Sequence, residues 1–290
     1  MTTHRIHALP GTEADVNAFV VHDATSAIVI DCFRNSADAH RLADHIDQLG
    51  VALTHVLITH GHPDHYLGLH ALGQRFPQAR VVVARAAIKA AIAGFSAWME
   101  DQGWLEGEPA MKPRTADRPD GFDYDGRIEV LDGDRLTLAD GTVLQLDADY
   151  APAESDVLTT VHVPASNAFL TSDFAYHDVH PWLGVGVTRT HIANWRAQLA
   201  RFADQWQDAV IYPGHGAAPT DARVFEKNIA YLDTFLRVID AAASREAAHA
   251  AMVARYPQHA NADFLLRMSV EFHVADAPAG VDTAASASAR

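Results

Sequence analysis

The chain has 290 residues, 49% of them hydrophobic and 20% charged, so it can bury a core without disulfides, and its composition excludes disordered, collagen-like and coiled-coil classes. Acidic residues (37) exceed basic ones (22) for a net charge of −15, which opposes binding to phosphate backbones or anionic lipid. The first ten residues hold no apolar stretch of signal-peptide length, and runs such as 27–30 fall far short of the roughly 20 residues a membrane helix needs; the expectation is a cytoplasmic protein with a small-molecule substrate, no nucleic-acid partner and no membrane.

Strands are predicted at 17–21 and 26–31, a helix over 36–49, and strands at 56–59 and 80–84, a βα alternation that argues for an α/β layered domain. Ser36 is the expected N-cap, Ala39, Leu42, Ala43, Ile46 and Leu49 supply the buried stripe, and Gly50 stops the helix. The single cysteine, Cys32, excludes an intramolecular disulfide and reads as a buried thiol at a strand end. Over about 95–125 the pattern dissolves into Gly, Pro and charge around Phe95, Trp98 and Trp104, either a lid or pocket wall or a surface insertion. Strands follow at 127–131, 135–138 and 142–146, the last two joined by the hairpin signal Asp140-Gly141. A second βα half has strands at 157–163 and 168–171, a helix near 192–203 and a strand at 209–212. Helical patterns near 222–243, 245–256 and 261–273 end the chain, before an Ala/Ser/Asp/Gly-rich tail at 275–290 that is expected to be disordered. No linker divides two domains, so 1–274 reads as one domain carrying the insertion at 95–125 and a helical extension over 221–274. Tyr231, Leu232, Phe235, Leu236 and Ile239 recur at helical spacing, as a core face or a homodimer seam.

The chemistry is concentrated in Thr59-His60-Gly61-His62-Pro63-Asp64-His65, directly after the apolar run Val56-Leu57-Ile58. Three imidazoles and a carboxylate thus gather at the C-terminal edge of a strand, where α/β sheets place ligands, and both are donors for zinc, iron or manganese. His60 and His62, two apart in extended backbone, project to one side and can share one cation; Asp64 and His65 open the next helix and can face a second.

This His-x-His-x-Asp-His run resembles the signature of the metallo-β-lactamase superfamily, and the resemblance extends over about residues 5–220. It implies a four-layer αβ/βα sandwich, here with C-terminal helices, and a one- or two-metal site at the sheet edges. In order, Ile28-Val29-Ile30-Asp31 is similar to the strand whose Asp supports the site, Leu170-Thr171-Ser172-Asp173 to the segment whose Asp bridges both metals, and Ile211-Tyr212-Pro213-Gly214-His215-Gly216 to the strand ending in the last His ligand. Where the family usually has histidine, 19 residues before the bridging Asp, this chain has Glu154. Some relatives, among them the alkylsulfatase branch, use Glu there; a carboxylate adds negative charge at the first metal and favours a harder cation. Glu154 is thus either an oxygen ligand or a solvated loop carboxylate. The resemblance assigns His60, His62 and Glu154 to metal one, Asp64, His65 and His215 to metal two, and Asp173 as the bridge, with two divalent cations, Zn2+ first and Fe or Mn as substitutes.

Such a pair lowers the pKa of a bound water and holds the hydroxide beside a polarised carbonyl, so the expected activity is hydrolysis of a small ester, lactone or thioester, with Asp64 moving a proton to the leaving group. Tyr176, three residues after Asp173, is placed as the lactonase branch places an oxyanion-binding phenol, or else packs at the rim. His177, His180 and Trp182 are expected near the mouth, and Asp31 either caps a turn or orients a ligand histidine. The alternatives are a sulfate ester or β-lactam substrate, an iron-dependent redox protein, or a non-catalytic binding module that kept the fold.

Overall fold

The computed structural model describes residues 5–275; of the predicted tail, only Ala275 lies inside them. The first half supplies β1 (Arg5–Pro10), β2 (Asn17–His22), β3 (Ser26–Ile30), β4 (Ala52–Leu57), β5 (Arg80–Val83) and β6 (Ile128–Val130), with helices α1 (Ser36–Leu49), α2 (Pro63–Tyr66), α3 (Leu69–Arg75) and α4 (Ala86–Asp101). These strands form one sheet in sequential order, antiparallel from β1 to β3 and parallel from β3 to β6. The second half supplies β7 (Arg135–Thr137), β8 (Val143–Asp147), β9 (Thr160–Val163), β10 (Ala168–Leu170), β11 (Tyr176–His177), α5 (Arg189–Gln205), β12 (Val210–Tyr212) and β13 (His215–Gly216). Its main sheet has the order β12-β10-β9-β8-β7, and β11 pairs with β13 apart from it. The chain closes with α6 (Arg223–Ala241), α7 (Arg245–Arg255) and α8 (Arg267–His273).

The layering follows from side chains alternating across each strand. In β3, Ile28 and Ile30 face the second sheet, where they join Val161, Val163 and Leu170, while Ala27 and Val29 face α1 and its neighbours. α1 contributes Leu42, Ala43 and Ile46 to that outer core. On the far side, α5 and α6 bury Trp195, Leu199, Phe202, Tyr231, Leu232 and Phe235 against the second sheet. The result is a four-layer αβ/βα sandwich with C-terminal helices. The α6 stripe that sequence left between core and dimer seam is largely core: all of its residues are buried except half-buried Leu236.

α1 has its predicted limits, but its cap is Asn35, whose side chain accepts from the Asp38 N–H, while the Ser36 hydroxyl donates to Glu108 instead. Several elements escaped the sequence, β1 and α4 among them. β1 is an edge strand in which His7 alternates with Ile6 and Ala8, too polar on one face to read as a run. α4 runs through the start of the supposed insertion, burying Ile88, Ile92, Ser96 and Met99 at spacings of four, four and three; its other faces are largely alanine, which blurs the apolar stripe. Among the described residues no helix is long and apolar enough to cross a membrane.

Candidate metal centre

β4 ends beneath the motif. His62 precedes Pro63, which holds it in extended backbone (φ −81°, ψ 143°) and opens α2, so His60 and His62 stay on the strand side while Asp64 and His65 sit in the first turn. A Cβ on Gly61 would come within 2.7 Å of the Ala91 methyl, so this loop lies directly under α4. β10 and β12 run parallel and carry their ends to the same edge: Thr171 N–H donates to the Tyr212 carbonyl and Gly214 N–H to the Ser172 carbonyl. That sets Asp173 beside His215. Here only glycine fits, since a Cβ on Gly214 would lie 2.3 Å from Asp173 Oδ1.

Seven side chains named from sequence converge in two sets. His60, His62, Glu154 and Asp173 offer ligand atoms within 4.8 Å of one another, as do Asp64, His65 and His215. Asp173 joins the sets: Oδ2 lies 3.1 Å from His215 Nε2 and 3.8 Å from His60 Nε2, and Oδ1 lies 3.4 Å from His65 Nε2. Glu154 is no solvated loop carboxylate, being 1% exposed with Oε1 2.9 Å from His62 Nδ1 and Oε2 3.6 Å from His60 Nε2.

The outer nitrogens are held by the protein. His65 Nδ1 donates to Asp31 Oδ2 at 2.8 Å, and Asp31 also accepts from the Thr59 N–H (2.9 Å) and hydroxyl (2.8 Å). Asp31 therefore orients His65, a candidate ligand, from the left-handed region at φ 60°, a conformation that costs energy outside glycine, with Asn and Asp the most tolerant. His215 Nδ1 donates to the Ala14 carbonyl at 2.7 Å, and His60 Nδ1 reaches the hydroxyls of Thr59 (3.1 Å) and Ser172 (3.3 Å). His60 Nε2, His65 Nε2, both Glu154 oxygens and Asp173 Oδ1 are buried and lack an aligned hydrogen bond. Buried polar atoms without partners are costly and rare; five of them aimed into one space, all nitrogen or carboxylate oxygen, fit divalent cations.

The electrostatics agree. Burial, then neighbouring His65, holds the His60 imidazole well below its ordinary range, so it is neutral. Burial works against the His65 imidazolium, but Asp173 and Asp31 outweigh it and raise its pKa well above the usual value. His215, beside Asp173, and His62, beside Glu154, are raised in the same way against burial. Burial would raise Asp173, yet His215 and His65 hold it well below the carboxylate range; in Glu154 burial prevails over His62, and its pKa is raised. In the metal-free protein protons occupy positions that cations would take.

Tyr176 lies elsewhere than at the rim. Its ring stacks on His215 at 4.5 Å and 11°, and its hydroxyl donates to Asp173 Oδ2 at 2.8 Å. His180 is also drawn inward, its Nδ1 2.7 Å from the Tyr231 hydroxyl and its pKa pushed down to about 3 by burial and His259. His177 Nδ1 donates to the Ala217 carbonyl. Trp182 is half-buried, its ring 6.3 Å from that of His62.

Asn17, unremarked in the sequence, clamps the His215 loop: its amide donates to the carbonyls of Pro213 (3.0 Å) and Gly216 (2.8 Å). Ser172, whose hydroxyl donates to Thr59 Oγ1 at 2.8 Å, was likewise missed as a partner. Neither has a local signal, since the partners lie 113 to 199 residues away.

A cavity of about 420 Å³ opens beside His62 and Glu154. α4 forms one wall with Ala91, Gly94, Phe95 and Trp98, and the opposite side carries Asp156, Val185 and His191. No Lys or Arg lines it.

The family model described as the metallo-beta-lactamase superfamily matches residues 11–215. A metallo-beta-lactamase family protein from Thermus thermophilus superposes with a TM-score of 0.61 at 18% identity, covering 92% of this chain and 90% of that one. A metallo-beta-lactamase from Pontibacter korlensis gives 0.55 at 14% identity, over 80% and 99%. At these identities the likeness is one of fold. The uncharacterized protein YobT of Bacillus subtilis (strain 168) is 33% identical over 69 residues, which is 24% of this chain and 29% of that protein.

Proposed function

The chain belongs to the metallo-beta-lactamase superfamily, and on that premise we propose that it is a hydrolase that holds two divalent cations, zinc in the first instance, and cleaves a small, uncharged ester, lactone or thioester. The observation that carries this is the meeting of two buried ligand sets on Asp173 beside the cavity. Bound cations would supply Lewis acidity and a water acidic enough to attack an acyl carbon at neutral pH. His60, His62 and Glu154 would hold one cation, Asp64, His65 and His215 the other, and Asp173 both.

The remaining steps fall to the chain itself. Asp64, at 17% side-chain exposure the most open carboxylate of the site, carries the proton to the leaving group. Tyr176, through its hydroxyl on Asp173, fixes the carboxylate that would be shared by the two cations, and its phenol is thereby engaged, so stabilisation of charge on the substrate oxygen would be left to the cations. Phe95 and Trp98 supply an apolar wall for the acyl or alcohol part. A sulfate ester or the carboxylate of a β-lactam would face Glu154 and Asp156 in a cavity that no Lys or Arg lines, which argues for the uncharged class. A location in the cytoplasm and a small-molecule partner belong to the same proposal.

Glu154 favours one second reading, a harder cation such as iron with redox chemistry. Elemental analysis of the protein purified without added metal separates the two, because ferric iron also colours the protein. With two zinc ions per chain, a panel of uncharged esters, lactones and thioesters is turned over, and His62→Ala abolishes turnover while the variant still folds cooperatively. Failure to take up metal, or full activity in His62→Ala, overturns the hydrolase.

A further inference from the structure

Far from this centre, on the α1 side of the first sheet, three histidines that the proposed chemistry does not use form a chain. His7 in β1 and His22 in β2 lie on one face, His22 standing opposite Arg5, two residues before His7. His45 reaches down from α1, its Nε2 2.8 Å from His7 Nδ1. His22 Nε2 faces His7 Nε2 at 3.4 Å.

The tautomer of His22 follows from its partner. His22 Nδ1 lies 2.9 Å from the Asp23 carbonyl, which only accepts, so Nδ1 carries the hydrogen and Nε2 is bare in the neutral ring. That carbonyl is held still, because the Asp23 carboxylate accepts from the N–H groups of Thr25, Ser26 and Asp140 at 2.6 to 2.8 Å and pins the turn after β2. With the His7 hydrogen on Nδ1, donated to His45, His7 Nε2 is bare as well. The separation of 3.4 Å is longer than a good N–H···N bond. It matches the roughly 3.3–3.4 Å between two nitrogens on one tetrahedral ion with bonds of about 2.0–2.1 Å. Burial, then the neighbouring imidazoles, lowers the pKa of His7 and of His45, which keeps both neutral at pH 7.

We propose that His7 and His22 form a second, separate site for a divalent first-row transition metal ion, bound through both Nε2 atoms with water in its remaining positions. Each ligand has its outer nitrogen already engaged, His22 on the Asp23 carbonyl and His7 on His45, the arrangement by which ligating imidazoles are oriented. His45 is a positioning residue. The proposal does not depend on the reading of the main centre, because it shares no residue with it.

The test uses untagged protein loaded with zinc and then freed of excess and weakly held zinc, so that the His7/His22 site is vacant before Co2+ is titrated in, zinc content being followed so that exchange at the main centre is recognised. One further Co2+ per chain is expected, with affinity falling at least about tenfold in His7→Gln and in His22→Gln, and less in His45→Ala. Should a variant fold poorly, the wild type decides: substoichiometric Co2+ must perturb the imidazole NMR signals of His7 and His22 ahead of those of other histidines. No uptake up to about 1 mM, uptake unchanged in both glutamine variants, or perturbation that begins at other histidines overturns the site.

Discussion

The two halves of the metal centre are built differently. In the half formed by Asp64, His65 and His215, each imidazole is fixed from behind by a full hydrogen bond that it donates, His65 to Asp31 at 2.8 Å and His215 to the Ala14 carbonyl at 2.7 Å. In the half formed by His60, His62 and Glu154, His60 leans on hydroxyls at 3.1 and 3.3 Å, and His62, its side chain 26% exposed, meets Glu154 alone and borders the cavity. A charged acceptor behind an imidazole fixes its tautomer and raises its basicity. The first half is therefore preorganised for a cation, and the second is shaped around access to substrate.

Asp173 is the element the halves share, so its loss carries the largest effect. Asp173→Ala should release both cations and reduce hydrolysis by about a thousandfold or more, measured by metal content and turnover together; retention of both metals would show that the halves are independent. Asp31→Asn keeps a residue that tolerates φ 60° but removes the charge behind His65. It should weaken the cation of that half by roughly 10–100-fold and leave the His60 half occupied; equal loss at both halves would break the contrast. Glu154→Gln tests the opposite side, with about tenfold weaker binding at the His60 half only.

Protonation gives a smaller, global effect. In the metal-free protein His62, His65 and His215 have folded pKa values above the unfolded value near 6.5. The stability they contribute is complete below about pH 6.5 and is lost as pH rises through the raised values. Glu154, also raised, acts in the same direction from lower pH, whereas Asp173, depressed, contributes stability above the ordinary carboxylate range and loses it only in acid. Above about pH 7.5 the imidazoles held low, His60 and His180 among them, are neutral in folded and unfolded chain alike, so from there to pH 9 metal-free protein should lose on the order of 1–2 kcal/mol, while the zinc form gains affinity as the imidazoles deprotonate. Melting curves with and without zinc across that range check it, and a metal-free protein that stabilises with rising pH would contradict the assignment.

The candidate ligands were legible because divalent cations favour imidazole and carboxylate donors, and the run from His60 to His65 gathers both at a strand end. Asp173 and His215 were legible through the resemblance of their segments to those of the superfamily, and Glu154 only as the residue at the place where that pattern has histidine. The supports were not: Asn17 and Ser172 act through partners more than a hundred residues away, and nothing in a serine or asparagine announces that. Most strands were visible as β-branched runs. β1 was hidden by His7 and Arg5 on its outer face, and α4 by alanines around its buried Ile88, Ile92 and Met99.

α4 also carries the mildest expected effect, and the one that bears most directly on the open half. Trp98 is 42% exposed, stacks on Phe95 at 5.2 Å and 24°, and stands edge-on to Trp104 at 4.9 Å. An aromatic so exposed adds little to the fold, yet with Phe95 it lines the cavity next to His62 and Glu154. Trp98→Ala should leave metal content and melting temperature unchanged and raise KM several-fold, about 1 kcal/mol, for substrates with an extended apolar group. For an acetyl ester, too short to reach the wall, it should change little. A fall in kcat that is the same for short and long acyl groups would mean that the wall acts on the ligand loop through Ala91 and Gly61, and the division between a preorganised half and a substrate-facing half would then lose its main support.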